Sequence, residues 1–287
     1  MAKHDNDGQE QGTTGHEWDG IQEYDNPLPR WWLYSFYACI LWSIVYWVVM
    51  PAWPLVSDFT KGLLGYSQRE VVTTAVAKAE SARADEARSL MAASLAEIEA
   101  DPKLLAFAMA SGEAAFGDNC APCHGSGAQG FKGYPNLNDD AWLWGGTLDD
   151  ISQTINYGIR SQHDSTHYSE MLAFGKQGIL DNAQINAVVE YVVTLSGRDA
   201  DQKLAEIGRE VYQNNCAACH MEDGTGDRTQ GAPNLTDAIW LYDGDRATIR
   251  ETVVNGRMGV MPAWADRLEP ATIKSLAVYV HALGGGE

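Results

Sequence analysis

Basic residues are scarce in this 287-residue chain. Lys and Arg total 20 against 39 Asp and Glu, a formal net charge of −19. Phosphate contacts need clustered Lys and Arg, so a nucleic-acid binder is excluded as a general reading. Cysteines are also few and odd in number, five in all. They cannot all pair within the chain, which excludes a fully paired disulfide scaffold. Disorder throughout is excluded as well, because 45% of the residues are apolar, ample for a core. The length fits two domains, or one domain with sizeable additions.

Charge is missing altogether between Arg30 and Asp58. That gap begins at Trp31-Trp32-Leu33-Tyr34 and runs past Val48-Val49-Met50 to Trp53, and it holds half of the 10 Trp. About 20 helical residues at 1.5 Å each cross a hydrocarbon core of about 30 Å. Trp31 and Trp32 at one end and Trp53 at the other suit an interfacial belt. A buried core helix this long would carry more polar residues than Ser35 and Ser43. A signal peptide would start nearer the N-terminus behind a basic segment. Here residues 1–30 precede the run, with seven acids against Lys3 and Arg30. A single uncleaved membrane helix over 31–56 is expected, in contact with membrane lipid. Flanking Lys and Arg do not settle its orientation. Residues 1–30 are expected to be a mobile acidic tail, its His4 and His16 solvated.

Glycine is absent from Ser67 to Ala110, where the sole proline is Pro102. Ala, Glu, Arg and Lys dominate, and Val72, Val76, Leu90, Met91, Leu95 and Ile98 recur at helical spacing. Residues 57–110 are expected to be a helical linker, broken at Asp101-Pro102. A solvated spacer and a helix docked on a partner subunit both fit.

The remainder repeats itself. Gly112, Phe116, Asn119 and Cys120 recur as Gly208, Tyr212, Asn215 and Cys216; Pro135-Asn136-Leu137 recurs as Pro233-Asn234-Leu235. Met171-Leu172-Ala173-Phe174 recurs as Met261-Pro262-Ala263-Trp264, and Tyr191 as Tyr279. The expected domains are 111–198 and 199–287. Each is small for an unaided core, so each needs something further to complete it.

Both copies carry C-x-x-C-H, as Cys120-Ala-Pro-Cys123-His124 and Cys216-Ala-Ala-Cys219-His220. This is the attachment signature of haem c. Two thiols add to the two vinyl groups of one porphyrin, and the next residue offers an imidazole to the iron. Zinc would want four ligands together, and a thioredoxin-like pair would want a βαβ context. Two motifs in matching repeats favour two covalent haem c groups. Cys39 falls in the apolar run and reads as packing.

Cytochromes of this kind often complete the iron with methionine sulfur. Met171 and Met261 hold the same place in both copies. Their rivals are Met258 for one site and His163 or His167 for the other, while Met221 is too close to His220. Gly112 with Phe116, and Gly208 with Tyr212, fit a first helix crossing closely over a last helix that carries Tyr191 or Tyr279. Trp142, Trp144, Trp240 and Trp264 fit either haem edges or core packing.

Taken together, the acidic tail, one early span, an Ala-rich helix and two tandem cytochrome c copies resemble the dihaem subunit III of cbb3-type cytochrome c oxidases, the CcoP/FixP family. The resemblance implies an all-α chain with two class I-like cytochrome c domains. It implies His124 and Met171 on the first iron, and His220 and Met261 on the second. It implies electrons passing from a donor cytochrome c, beside a monohaem cytochrome c subunit, to a haem–copper subunit that reduces O2. It also implies a bacterial inner membrane, with the N-terminus cytoplasmic and the haem domains periplasmic.

With both axial positions filled, neither iron is open to substrate, so the chain is expected to carry electrons and not to catalyse alone. A dihaem peroxidase, or an anchored carrier for another oxidoreductase, is the alternative. The charge adds one expectation. Residues 112–197 hold ten acids and three bases, and residues 198–287 hold fourteen and nine. Two acidic haem domains would steer a basic donor toward them.

Overall fold

In the computed structural model, residues 12–286 are described. His4 and the rest of residues 1–11 lie outside them. The chain forms two compact units, one up to Ser81 and one from Ala82 onward.

The first unit departs from the expected mobile tail. Strands β1 (Thr13–Trp18) and β2 (Ile21–Tyr24) pair antiparallel, with Trp18 opposite Ile21. Asp19 and Gly20 both take positive φ, 51° and 84°, as a two-residue turn matched to strand twist requires. Every residue of this hairpin is exposed. Helix α1 (Arg30–Val49) follows, long and apolar enough to span a membrane, and none of it is buried within the protein. Its hydroxyls are satisfied internally, Ser35 Oγ donating to Trp31 O at 3.0 Å and Ser43 Oγ to Cys39 O at 2.8 Å. A helix in hydrocarbon has nothing else to satisfy them. The helix stops short of the expected residue 56, because Pro51 follows and the chain doubles back. Leu63 and Leu64 then donate to the free carbonyls of Val48 and Val49 at 3.0 and 3.1 Å.

The expected linker is three helices. They are α2 (Gln68–Ala92), α3 (Leu95–Ala100) and α4 (Pro102–Asn119). Ser94 and Glu97 form a capping box that starts α3, and Asp101 caps α4 with Pro102 in its first turn. The expected boundary at 110/111 therefore falls inside α4. Nor is the end of the linker a solvated spacer. Leu90, Ile98 and Ala108 are fully buried together with Val278. Lys274 Nζ donates to Met91 O at 2.9 Å and Ala93 O at 2.5 Å, satisfying carbonyls that α2 leaves free.

The second unit continues with the short α5 (Ala121–His124), then α6 (Leu148–Tyr157), α7 (Asn182–Leu195) and α8 (Gln202–Asn215). The short α9 (Ala217–His220), α10 (Arg246–Asn255) and α11 (Pro270–His281) complete it. The two copies lie in tandem along the chain but exchange partners in space. α4 and α6 pack on α11, while α8 and α10 pack on α7. A Cβ on Gly112 would lie 2.5 Å from Ser275 O and from Tyr279 Cβ. One on Gly208 would lie 2.0 Å from Ala187 O. These crossings are backbone against backbone, and only glycine fits. The paired aromatics follow suit: Phe116 meets Tyr279 with ring centroids 5.5 Å apart, and Tyr212 meets Tyr191 at 5.1 Å.

Two cores result. One draws every member from between Met171 and Val254. The other takes its members from Leu95 to Ile155 and again from Met261 to Leu283. The first core is thus set into the chain that builds the second.

Candidate functional site

Each C-x-x-C-H motif sits where a long helix ends. Cys120 closes α4, its N–H donating to Phe116 O at 2.8 Å, and Cys216 closes α8, donating to Tyr212 O at 2.7 Å. One further helical turn carries the chain to the histidine. His124 N donates to Cys120 O at 2.9 Å, and His220 N to Cys216 O at 2.9 Å. Positions three and four apart on a turn share a face, so both thiols and the imidazole converge.

The imidazoles are oriented the same way in both copies. His124 Nδ1 lies 3.0 Å from Pro135 O, and His220 Nδ1 lies 3.1 Å from Pro233 O. A carbonyl only accepts, so Nδ1 donates and Nε2 keeps its lone pair for a metal. Burial holds both imidazoles below the usual histidine range, opposed in part by those carbonyls. Burial likewise pushes the Cys120 thiol up to about 11 and the Cys216 thiol up to about 12, each aided by its neighbouring cysteine. In the sequence, Pro135 and Pro233 stand out only as a proline repeated after each motif, and nothing there marks their carbonyls.

The methionines are both present in the cores, but not beside the motifs expected. Met261 packs on the same core as Cys120 and Ala121, and Met171 on the same core as Cys216 and Ala217. The chain-order pairs, Met171 with His124 and Met261 with His220, are not the ones brought together. Backbone pairing explains why. Met261 and Ile159, at the end of α6, exchange two N–H···O bonds of 3.0 Å. Met171 and Arg257, at the end of α10, exchange bonds of 3.3 and 3.1 Å.

The rivals are placed elsewhere. Met258 is 58% exposed, and Met221 is exposed too. His167 stacks on Trp144 with centroids 4.4 Å apart, and His163 lies against Tyr157 at 4.6 Å. Trp142 and Trp264 join one core and Trp240 the other. One residue escaped sequence reasoning. Arg160 donates from Nε to Gly259 O and from Nη1 to Ser169 O, both at 2.5 Å. Those carbonyls lie two residues ahead of Met261 and Met171, so one guanidinium ties both methionine segments.

Among the described residues, no group of three or more His, Cys, Asp or Glu is placed to hold a bare metal ion. Each copy instead offers two thiols to bond the vinyl groups of a porphyrin, and an imidazole and a thioether are at hand for an iron that the porphyrin already holds. The residues present fit haem c.

Three family models match the chain. The N-terminal domain of cytochrome oxidase-cbb3, FixP, matches residues 10–57. Cytochrome c matches 109–196, and cytochrome c oxidase, cbb3-type, subunit III matches 203–280. The chain is 57% identical over 276 residues to the cbb3-type cytochrome c oxidase subunit FixP of Bradyrhizobium diazoefficiens, covering 96% of this chain and 95% of that one. It is 55% identical over 276 residues to subunit CcoP of Cereibacter sphaeroides, with the same coverage. It is 54% identical over 282 residues to subunit CcoP of Azospirillum brasilense, covering 96% of each.

Proposed function

The chain belongs to the FixP/CcoP family of cbb3-type cytochrome c oxidase subunits, and from that premise we propose that it is the membrane-anchored dihaem carrier that feeds such an oxidase. Its cytochrome c domains imply haem c, and its family implies other oxidase subunits beside it. Two haem c groups are held, one through Cys120 and Cys123 and one through Cys216 and Cys219. His124 and His220 supply the imidazole on each iron, and Met171 and Met261 supply the sulfurs. When bound, haem supplies reversible one-electron Fe(III)/Fe(II) exchange. The chain's own task is to orient each imidazole, fill the opposite face and keep water out.

The repeated bond from each histidine Nδ1 to a proline carbonyl carries this reading. It fixes the imidazole that a permanently ligated, electron-carrying iron requires. α1 anchors the chain in a bacterial inner membrane, with residues 1–29 cytoplasmic and the second unit periplasmic. Electrons come from a donor cytochrome c. They leave toward the monohaem cytochrome c subunit and the haem–copper subunit that reduces O2.

Purification from native membranes tests the assignment. Recovery with a haem–copper subunit and two covalent haems on this chain is expected. Recovery with a different oxidoreductase would replace the reading. Acidic haem domains add a second expectation: donor-driven turnover with a basic cytochrome falls as ionic strength rises from about 10 to 200 mM, because the Debye length shrinks from roughly 30 to 7 Å. A flat salt response would remove steering from the account.

A further inference from the structure

We infer that Arg160 is a positioning residue shared by both haem sites: one guanidinium holds the two methionine segments together and lends both irons its positive charge. The inference rests on the haem reading above and deepens it. It does not depend on which methionine serves which iron.

The geometry is a two-pronged clasp. Nε donates to Gly259 O and Nη1 to Ser169 O, both at 2.5 Å. Each carbonyl lies two residues ahead of a methionine, and two residues of chain span at most about 7 Å. The planar fork fixes both bonds at once, so neither segment shifts without the other.

The repeated architecture does not call for this arginine. Gly158 and Gly256 hold the same place in the two copies, with φ of 70° and 69°. A Cβ on Gly158 would lie 2.3 Å from Met261 O, and one on Gly256 2.4 Å from Met171 O. Ile159 and Arg257 follow and make the equivalent backbone pairs. The next residue is Arg160 in one copy and Met258 in the other. Met258 is 58% exposed, and a thioether donates no hydrogen bond. One copy thus builds the same turn without an arginine.

The backbone at Arg160 is committed to the clasp. Its φ of 51° is one that a non-glycine residue rarely takes, and such strain persists where the surroundings over-determine it. Here Arg160 N donates to His167 O at 2.8 Å. Charge adds a second effect. The acceptors are neutral carbonyls, and among the described residues no carboxylate forms an ion pair with Arg160. Glu170 acts on it only at longer range. A positive charge kept beside both sites favours Fe(II) over Fe(III) at each.

The test uses the full chain carrying both haems, purified in detergent and followed by redox titration. Arg160→Gln loses the charge and the fork. It is expected to lower the reduction equilibrium of both haems about tenfold, which is about 59 mV for a one-electron couple. Imidazole should also displace sulfur from both ferric irons about threefold more readily or better, read as loss of the sulfur-to-iron charge-transfer band. Arg160→Lys keeps the charge but not the planar fork. Both potentials should recover most of the shift, while imidazole still displaces both sulfurs more readily than in the parent. Arg250→Gln is the control, because Arg250 ties α10 to Asn182 and Asn186 of α7 with a comparable fork. It should leave both potentials where the parent has them. A change confined to one haem, or equal changes in Arg160→Gln and Arg250→Gln, overturns the inference. So do Arg160→Lys potentials no higher than those of Arg160→Gln. Should Arg160→Gln fail to retain haem, Arg160→Lys decides: displacement eased at both irons supports the clasp, and at one or neither overturns it. Lack of covalent haem in the parent chain would instead defeat the functional reading itself, a different failure.

Discussion

Gly208→Val is expected to disrupt the His220 site while sparing the His124 site. The added Cβ would lie 2.0 Å from Ala187 O and 2.9 Å from Tyr191 Cβ. The nearer atom is backbone in the middle of α7, so no rotamer change relieves it. Separation of α7 and α8 is the sole remedy, and it opens the core around Tyr212, Val192 and Val193. Overpacking a core typically costs about 1–3 kcal/mol, occasionally more. A clash against backbone belongs at the upper end, about 3 kcal/mol. That is a large share of the roughly 5–15 kcal/mol that stabilises an ordinary domain. Tyr212 hydroxyl also donates to Met221 O at 2.8 Å, just beyond the second motif, so displacement of α8 reaches His220 directly. Denaturant unfolding and covalent haem content check the expectation. Stability within about 0.5 kcal/mol of the parent, with both haems intact, would show that α7 does not sit against Gly208.

Much of this arrangement was legible because it is local. C-x-x-C-H places its donors on one turn, and a run without charge from Arg30 to Asp58 declares its solvent whatever else the chain does. The hairpin over 13–24 carried a local signal too, Asp19-Gly20 between Trp18 and Ile21, outweighed by the polar composition around it. The exchange between copies was not legible from the repeat. Phe116 and Tyr212 occupy one equivalent position, and Tyr191 and Tyr279 another, so own-copy and cross-copy pairing satisfy the same pattern. Connection length held the missing information. Only Ser196 to Asp201 separate α7 from α8. So short a loop between helices makes antiparallel neighbours. Glu190 adds a tie at the same place, accepting from Asp201 N at 2.9 Å and pairing with Arg246 Nε at 2.7 Å. Once α7 is committed to α8, α4 is left with α11, and the methionine segments before α7 and α11 cross with them.

His220→Ala is expected to remove one low-spin haem signal, retain the other and reduce donor-driven oxygen consumption at least tenfold. His220 is 9% exposed, and the Pro233 carbonyl fixes its ring. Alanine offers no donor to the iron. The thiols of Cys216 and Cys219 remain, so covalent attachment and ligation are separable: a haem stain should persist where the low-spin spectrum does not. A tenfold loss corresponds to about 1.4 kcal/mol of barrier, a modest demand when an iron has lost its proximal ligand. The magnitude rests on the two haems acting in series. If they served parallel routes, the remaining His124 haem would sustain about half the rate. Turnover at half or more of the parent, with the His220 signal gone, would therefore rule out a serial path through this chain. His124→Ala is the necessary companion, because a serial path loses comparable turnover at either site while the surviving low-spin signal changes identity.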